Sequence, residues 1–337
     1  MGTRLENLRL TEVVDGDTIK VEIPLSSSSF PRRNNKNTDD TNETEPPVLR
    51  EETTLRLIGV DTEESAVGTK PVTNAGQEAT KQARQYFGCD ELGFPPDDAA
   101  VYVDVEFDTA EPLHVCLAHH RGHWGRLLCY VYLKTNNNNG ENYNLHTVRQ
   151  GWSPYFCKYG QSRLYHAAFL QAEAEAQAER RLIWDAATNA DGNSRNYNVL
   201  LPWWNLRASI LQEYRTRGVQ AGVLSFPRDY DTLVEAGRRG DTVTVLCDLV
   251  QGISETPGKG ALLEEVGSSS KQPFWLWIPN RNSAPSIVHL IRNRYASAGE
   301  EGEGGRGYVY VTGQVVFYNT TPEIVLTSVS QLSDVPP

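Results

Sequence analysis

Short segments in which apolar and polar residues alternate recur along this chain, and they constrain its fold more than any other feature. Residues 8–14, 18–23, 54–60, 100–107 and 126–133 keep the period of two that lays one face of a strand on a core. Between and after them the period lengthens. Residues 76–87 place Ala79, Ala83, Tyr86 and Phe87 on one helical face, 143–151 form a short helix stopped by glycine, and 163–184 are rich in Ala, Glu, Gln and Arg. The order β-β-β-α-β-β-α-α predicts a small five-stranded antiparallel barrel with helices at its side, which leaves no open sheet edge. The second half repeats the theme. Strands are expected at 241–250, 261–266, 274–279, 308–317 and 323–332, with a helix at 284–295 between the third and fourth and further helices at 203–217 and 230–236. Five strands with that helix are the arithmetic of an OB-fold. The expected fold class is therefore β-rich α+β, with two OB-type five-stranded barrels in tandem, the first carrying three helices.

Polar segments divide the pattern. Residues 26–52 hold almost no large apolar side chain and read as a long loop, and 185–200 read as a linker. The expected domains are 1–184 and 201–337, in keeping with 337 residues and roughly 150 per domain. Residues 135–142, with a run of four asparagines followed by a glycine, read as a hairpin tip, and 297–307 as a Gly/Glu-rich loop.

Composition excludes several classes. Apolar runs such as 274–278 are far short of the ~20 residues of a membrane span, so no membrane partner is expected. The start of the chain shows no basic stretch followed by an apolar block, and five cysteines at 89, 116, 129, 157 and 247 include no CxxC pair. An intracellular, reducing compartment (cytoplasm or nucleus) is the expectation. A net charge of −11 argues against a nucleic-acid coat, though a few arginines in a cleft can hold a phosphate whatever the global sum.

The chemistry-bearing residues lie in the first half. Asp15-Gly16-Asp17 sets two carboxylates at a tight turn. Arg56 lies in an apolar strand that ends in Asp61-Thr62-Glu63-Glu64, and Arg126 opens another. Carboxylates at strand ends can bind a hard cation, guanidiniums can grip a phosphate bidentately, and a further carboxylate can orient or deprotonate a water. Together these are the parts of metal-assisted phosphodiester hydrolysis. Each alone also has a plain structural role, as a turn, a cap or a solvated surface group.

Their order and spacing resemble the staphylococcal (micrococcal, thermonuclease) nuclease family over residues 8–184. Val14-Asp-Gly-Asp-Thr-Ile-Lys-Val is similar to its first hairpin, and Leu55-Arg-Leu-Ile-Gly-Val-Asp-Thr-Glu-Glu to its arginine strand and acidic loop. Gly76-Gln-Glu-Ala resembles its first helix, Tyr102-Val-Asp-Val-Glu-Phe-Asp and Gly125-Arg-Leu-Leu-Cys-Tyr-Val-Tyr its next strands, and Val148-Arg-Gln-Gly and Ile183-Trp184 its later helices. The resemblance implies an OB-type barrel and a Ca2+-dependent nuclease, with Mg2+ or Mn2+ as alternatives. Asp17, Asp61 and the carbonyl of Thr62 would ligate the metal. Glu64 would be the general base or water-orienting group, and Arg56 and Arg126 the phosphate clamp. Single-stranded DNA and RNA would be the substrates, with double-stranded DNA a further one and 3′-phosphates the products.

The chain departs from the family where Glu63 replaces the proline after Asp-Thr, which leaves the loop carrying Glu64 less rigid. Trp124, Tyr155 and Tyr159 are candidates for contact with bases, Trp124 by stacking. His114, His119, His120 and His123 cluster without metal-site spacing, in what reads as a β-hairpin loop, so zinc is not expected. Two other readings stay open: a non-catalytic nucleic-acid-binding scaffold of two barrels, and a protein-interaction role for the second half through Trp203, Trp204 and the strand holding Trp275 and Trp277. If those last two share a face, the simpler expectation is burial. Three arginine pairs of the second half (215 and 217, 238 and 239, 292 and 294) could line a groove for single strands. Oligomeric state is left open.

Overall fold

The structure, a computed structural model, describes all residues except 25–49, 67, 69, 123, 124, 136, 137, 190, 191, 227, 250–252, 256–260, 265–271, 281, 283 and 297–303. It is β-rich α+β, with two sheets and several helices. The chain divides into two compact units, Met1–Phe156 with Ser162–Ser194, and Cys157–Gln161 with Arg195–Pro337.

The first unit is built on β1 (Arg4–Val13), β2 (Thr18–Pro24), β3 (Arg50–Leu57), β4 (Tyr102–Glu106), β5 (Leu127–Thr135) and β6 (Asn138–Asn142). β1 pairs antiparallel with β2 and β4, β2 with β3, and β5 with β4 and β6, while β3 also pairs parallel with β5. Alternate residues point inward as the period-two pattern requires: Leu8 and Leu10, Ile19 and Val21, Leu55 and Leu57, Val103 and Val105, and Leu127, Cys129 and Val131 are all buried. Helices α1 (Asn74–Tyr86), α2 (Leu113–His119), α3 (Tyr143–Arg149) and α4 (His166–Ala178) belong to this unit. α1 buries Ala75, Ala79 and Ala83, and α4 buries Phe169, Ala172 and Ala176.

The second unit contains α5 (Tyr197–Glu213), β7 (Leu224–Ser225), α6 (Tyr230–Arg239), β8 (Thr242–Asp248), β9 (Ser254–Glu255), β10 (Ala261–Glu264), β11 (Trp275–Ile278), α7 (Pro285–Leu290), β12 (Tyr308–Tyr318), β13 (Thr321–Val325) and β14 (Leu332–Ser333). The sheet runs β7-β8-β12-β13-β11-β10-β9, with β14 on β12. Its core gathers Val245, Cys247, Phe274, Leu276, Ile278, Val309, Val311, Val315 and Ile324 under Leu233, Ile287 and Ile291. A buried pair lies within this unit: Arg207 holds both carboxylate oxygens of Asp248, at 3.1 and 2.5 Å, with its guanidinium 4.1 Å from the Tyr308 ring centroid.

Several expectations are corrected. The histidine segment is not a hairpin loop but α2, a short helix that buries only Cys116; His120 follows it and meets Glu111 at 2.7 Å. The long helix expected at 163–184 ends at Ala178. Arg180 and Leu182 take positive φ (53° and 37°), which turns the chain so that the Ile183 N–H bonds the Gly151 carbonyl at 3.1 Å. The barrel strands are not wholly antiparallel, since β3–β5 and, in the second sheet, β11–β13 are parallel. The hairpin expected at 135–142 is present, with Thr135 opposite Asn138, but residues from Asn138 on already belong to its second strand, β6; the linker's last residues open α5. Residues 50–52, expected in the long loop, pair as β3; most of that loop lies outside the described residues. Trp275 and Trp277 do share a face, but it is the half-exposed one, and Leu276 and Ile278 take the core.

Candidate active site

Three strand ends meet at the site. The turn between β1 and β2 carries Asp15 and Asp17, the end of β3 carries Arg56 and leads into Asp61–Glu64, and Arg126 stands just before β5. The turn needs its glycine: a Cβ on Gly16 would lie 2.7 Å from the Thr62 side chain, so the turn packs directly on the acidic loop. At Gly59, φ is +76° and an added Cβ would lie 2.8 Å from the Phe169 ring, which lets the chain bend off β3 against α4. The bend is tied down twice, by the Asp61 N–H to Ser153 Oγ at 2.8 Å and by the Phe156 N–H to the Gly59 carbonyl at 3.0 Å. On the other side, Thr73 caps α1 by accepting the Gly76 N–H at 2.9 Å, and its own N–H bonds the Glu64 carbonyl at 3.1 Å. The backbone of Glu64 is thus latched to the start of α1 without the proline.

Arg56 is central. Its guanidinium pairs with Asp17 Oδ1 and with Asp61 Oδ1. Asp17 is buried, and its oxygens also accept the Thr18 hydroxyl at 2.9 Å and the Thr62 N–H at 3.0 Å. Arg126 reaches the Thr18 hydroxyl at 3.4 Å, while its buried Nε has no hydrogen-bond partner among the described residues. Burial, and then repulsion from Arg56, hold Arg126 below the usual guanidinium range against the pull of Asp15 and Asp61. Asp15 is the residue to which the sequence reading gave no role. It accepts the Asp17 N–H at 3.1 Å. Burial pushes its carboxyl above the ordinary range, although Arg56, Thr18 and Arg126 all favour its charged form. Its proximity to both arginines was signalled only by the doubled carboxylate of the turn motif.

The structure brings Asp17, Arg56, Asp61, Thr62 and Arg126 together, with Glu64 half-buried on the same loop and Glu63 buried. It does not bring in Tyr155, which is 2% exposed, stacked on Phe169 at 4.8 Å and bonded through its hydroxyl to the Ser162 N–H. Tyr159 belongs to the second unit, and Trp124 lies outside the described residues. Among the described residues no three His, Cys, Asp or Glu side chains are arranged to hold a metal ion. The donors of Asp17 and Asp61 nevertheless suit a hard cation in kind, since both are carboxylates and both converge on one positive group, the Arg56 guanidinium.

Residues 105–186 match the family model described as staphylococcal nuclease homologue, so the chain carries a staphylococcal-nuclease-like region. The match takes in Arg126, Tyr155 and Tyr159; Asp17, Arg56, Asp61, Thr62 and Glu64 precede it. No curated protein matches the chain. Among the described residues no helix is long and apolar enough to cross a membrane.

Proposed function

We propose that the first unit is a nuclease that hydrolyses phosphodiester bonds of DNA and RNA, single strands preferred, on an OB-type barrel. The cycle of pairings β1–β2–β3–β5–β4–β1 supports the barrel reading. One observation carries the function: two guanidiniums and three carboxylates gather at converging strand ends, within a chain whose matched family points to a nuclease-like or nucleic-acid-binding role. Arg126, with a buried donor that has no partner among the described residues, would grip a non-bridging phosphate oxygen, and Arg56 a second. The pair would stabilise the charge that grows on the phosphoryl oxygens as water attacks. Glu64 would orient that water or take its proton, the attack would run in line, and the 5′-oxygen would leave to give a 3′-phosphate. Asp17, Asp61 and the Thr62 carbonyl would hold Ca2+, with Mg2+ or Mn2+ as substitutes. The bound ion would supply a Lewis acid that neutralises phosphate charge.

The rival reading, a nucleic-acid-binding scaffold that does not cut, has one observation in its favour. Arg56 is neutralised by the two carboxylates that would otherwise ligate metal. Labelled single-stranded DNA, double-stranded DNA and RNA, each incubated with Ca2+, Mg2+, Mn2+ or EDTA, separate the two. The nuclease reading expects metal-dependent cleavage; binding with no cleavage under any metal overturns it.

A further inference from the structure

The outer face of the second sheet carries a feature unrelated to the nuclease site. On β11, Leu276 and Ile278 enter the core, so Trp275 and Trp277 lie on the opposite face. Register brings Glu323 of β13 beside Trp275 on one flank and Val316 of β12 on the other. Tyr318, two residues beyond Val316, shares the face, and its ring centroid lies 5.9 Å from that of Trp275 at 40°. Tyr318 is 59% exposed. Glu323 is only 7% exposed, and among the described residues its side chain has no hydrogen bond or ion pair. Burial alone moves its carboxyl, upward, with nothing to offset it. Its carboxylate oxygens are not fully enclosed, so among the described residues they are left to water or to a ligand on this face.

Five of the six arginines expected to line a strand-binding groove have partners of their own. Arg217 pairs with Glu213, Arg238 with Glu235, Arg239 with Asp241 and Arg294 with Asp334, and Arg215 bonds the Gln161 carbonyl. An anionic strand would meet Glu323 on this face, whereas a cation would meet both ring quadrupoles and the carboxylate. A guanidinium fits best: it is planar, weakly hydrated, stacks on aromatic rings and can bond a carboxylate through two N–H groups.

We infer that this face binds an arginine side chain of a basic peptide, with the guanidinium laid on Trp275 and Tyr318 and bonded to Glu323. The site is independent of the nuclease reading and can stand or fall without it. The test uses the full chain and the fluorescence anisotropy of a labelled Arg-Gly repeat peptide, with a Lys-Gly peptide of equal charge and a single-stranded oligonucleotide as comparisons. Glu323→Gln preserves shape, and Tyr318→Ala removes an exposed ring, so neither is expected to unfold the unit. The arginine peptide should bind more tightly than the lysine peptide. Glu323→Gln should weaken it about tenfold or more, and Tyr318→Ala about two- to fivefold. Attraction to the chain's overall −11 charge would bind both peptides alike and be indifferent to either substitution, which would overturn the proposal. So would no measurable binding of the arginine peptide, or an oligonucleotide that binds more weakly to Tyr318→Ala and more tightly to Glu323→Gln.

Discussion

Glu106→Gln should unfold the first unit far more readily than its near-identical shape suggests. The Glu106 side chain is wholly buried at the end of β4. It accepts the Tyr132 hydroxyl at 2.6 Å, the Tyr165 hydroxyl at 2.7 Å, the Gly2 N–H at 2.7 Å and Arg4 Nη2 at 3.3 Å. Burial opposes its charge, yet these donors outweigh burial and hold the carboxyl below its ordinary range. Glutamine keeps one acceptor oxygen and turns an amide donor toward either the Gly2 N–H or the two hydroxyls and Arg4. At least one charge-assisted bond, worth about 1.5–3 kcal/mol net, is therefore lost, and the bonds that remain lose the charge that strengthened them, for an expected cost of about 2 kcal/mol or more. Because the folded carboxyl titrates lower than the unfolded one, its stabilisation is fully present above the unfolded value of about 4.3 and disappears as pH falls through the folded value. Urea unfolding read by hydrogen exchange of β1 and β4 peptides reports this unit alone. The gap between wild type and variant should be full at neutral pH and shrink in acid below pH ~4. A variant as stable as wild type at neutral pH, or a gap unchanged in acid, would refute the reasoning.

Four further outcomes follow. Arg207→Met should take both guanidinium bonds from the buried Asp248 carboxylate and destabilise the second unit by about 3 kcal/mol in denaturant, whereas the double change Arg207→Met with Asp248→Leu should recover much of the loss; equal stability of the single variant and wild type would contradict this. Gly93→Ala should cost about 2 kcal/mol or more in thermal unfolding, since φ is +97° and the new Cβ would lie 2.2 Å from the Val13 carbonyl oxygen. If a cation and Arg56 compete for Asp17 and Asp61, then Arg56→Gln should bind Ca2+ about tenfold more tightly by calorimetry, a gain of ~1.4 kcal/mol, even as turnover falls. Weaker or unchanged Ca2+ affinity would separate Arg56 from the proposed metal site. Arg56→Lys should remain impaired in turnover by about tenfold or more, because an ammonium lacks the guanidinium fork; near-full turnover would remove Arg56 from the clamp.

Strands with one buried face were readable because each inward residue announces itself by its period, as Ile19 and Val21 do on β2. α2 was not, because a helix that buries only Cys116 leaves no apolar stripe to detect. The end of α4 was missed for the opposite reason: good helix formers continue to Arg181, and only tertiary contacts around Gly151 drive Arg180 and Leu182 to positive φ. Within the candidate site, the order and spacing of Asp17, Arg56, Asp61 and Arg126, with the family resemblance, pointed to their meeting at the strand ends. Asp15 was ambiguous because a DGD turn presents two carboxylates and the period cannot say which will face the arginines. Tyr155 was misread because a core aromatic and a base-stacking one look alike until Phe169 is seen against it. Glu323 was hidden, since nothing in one strand's sequence shows that Trp275 and Tyr318 will stand on its face.

The central claim, that the two arginines act on phosphate in the transition state, is tested most directly by single-turnover cleavage of 5′-labelled single-stranded DNA with Ca2+, comparing wild type with Arg126→Ala. The account predicts metal-dependent cleavage by wild type, 3′-phosphate ends, and a loss of about a hundredfold or more in the rate for Arg126→Ala with substrate affinity changed far less. Equal cleavage rates for the two proteins, or cleavage by wild type undiminished in EDTA, would contradict it.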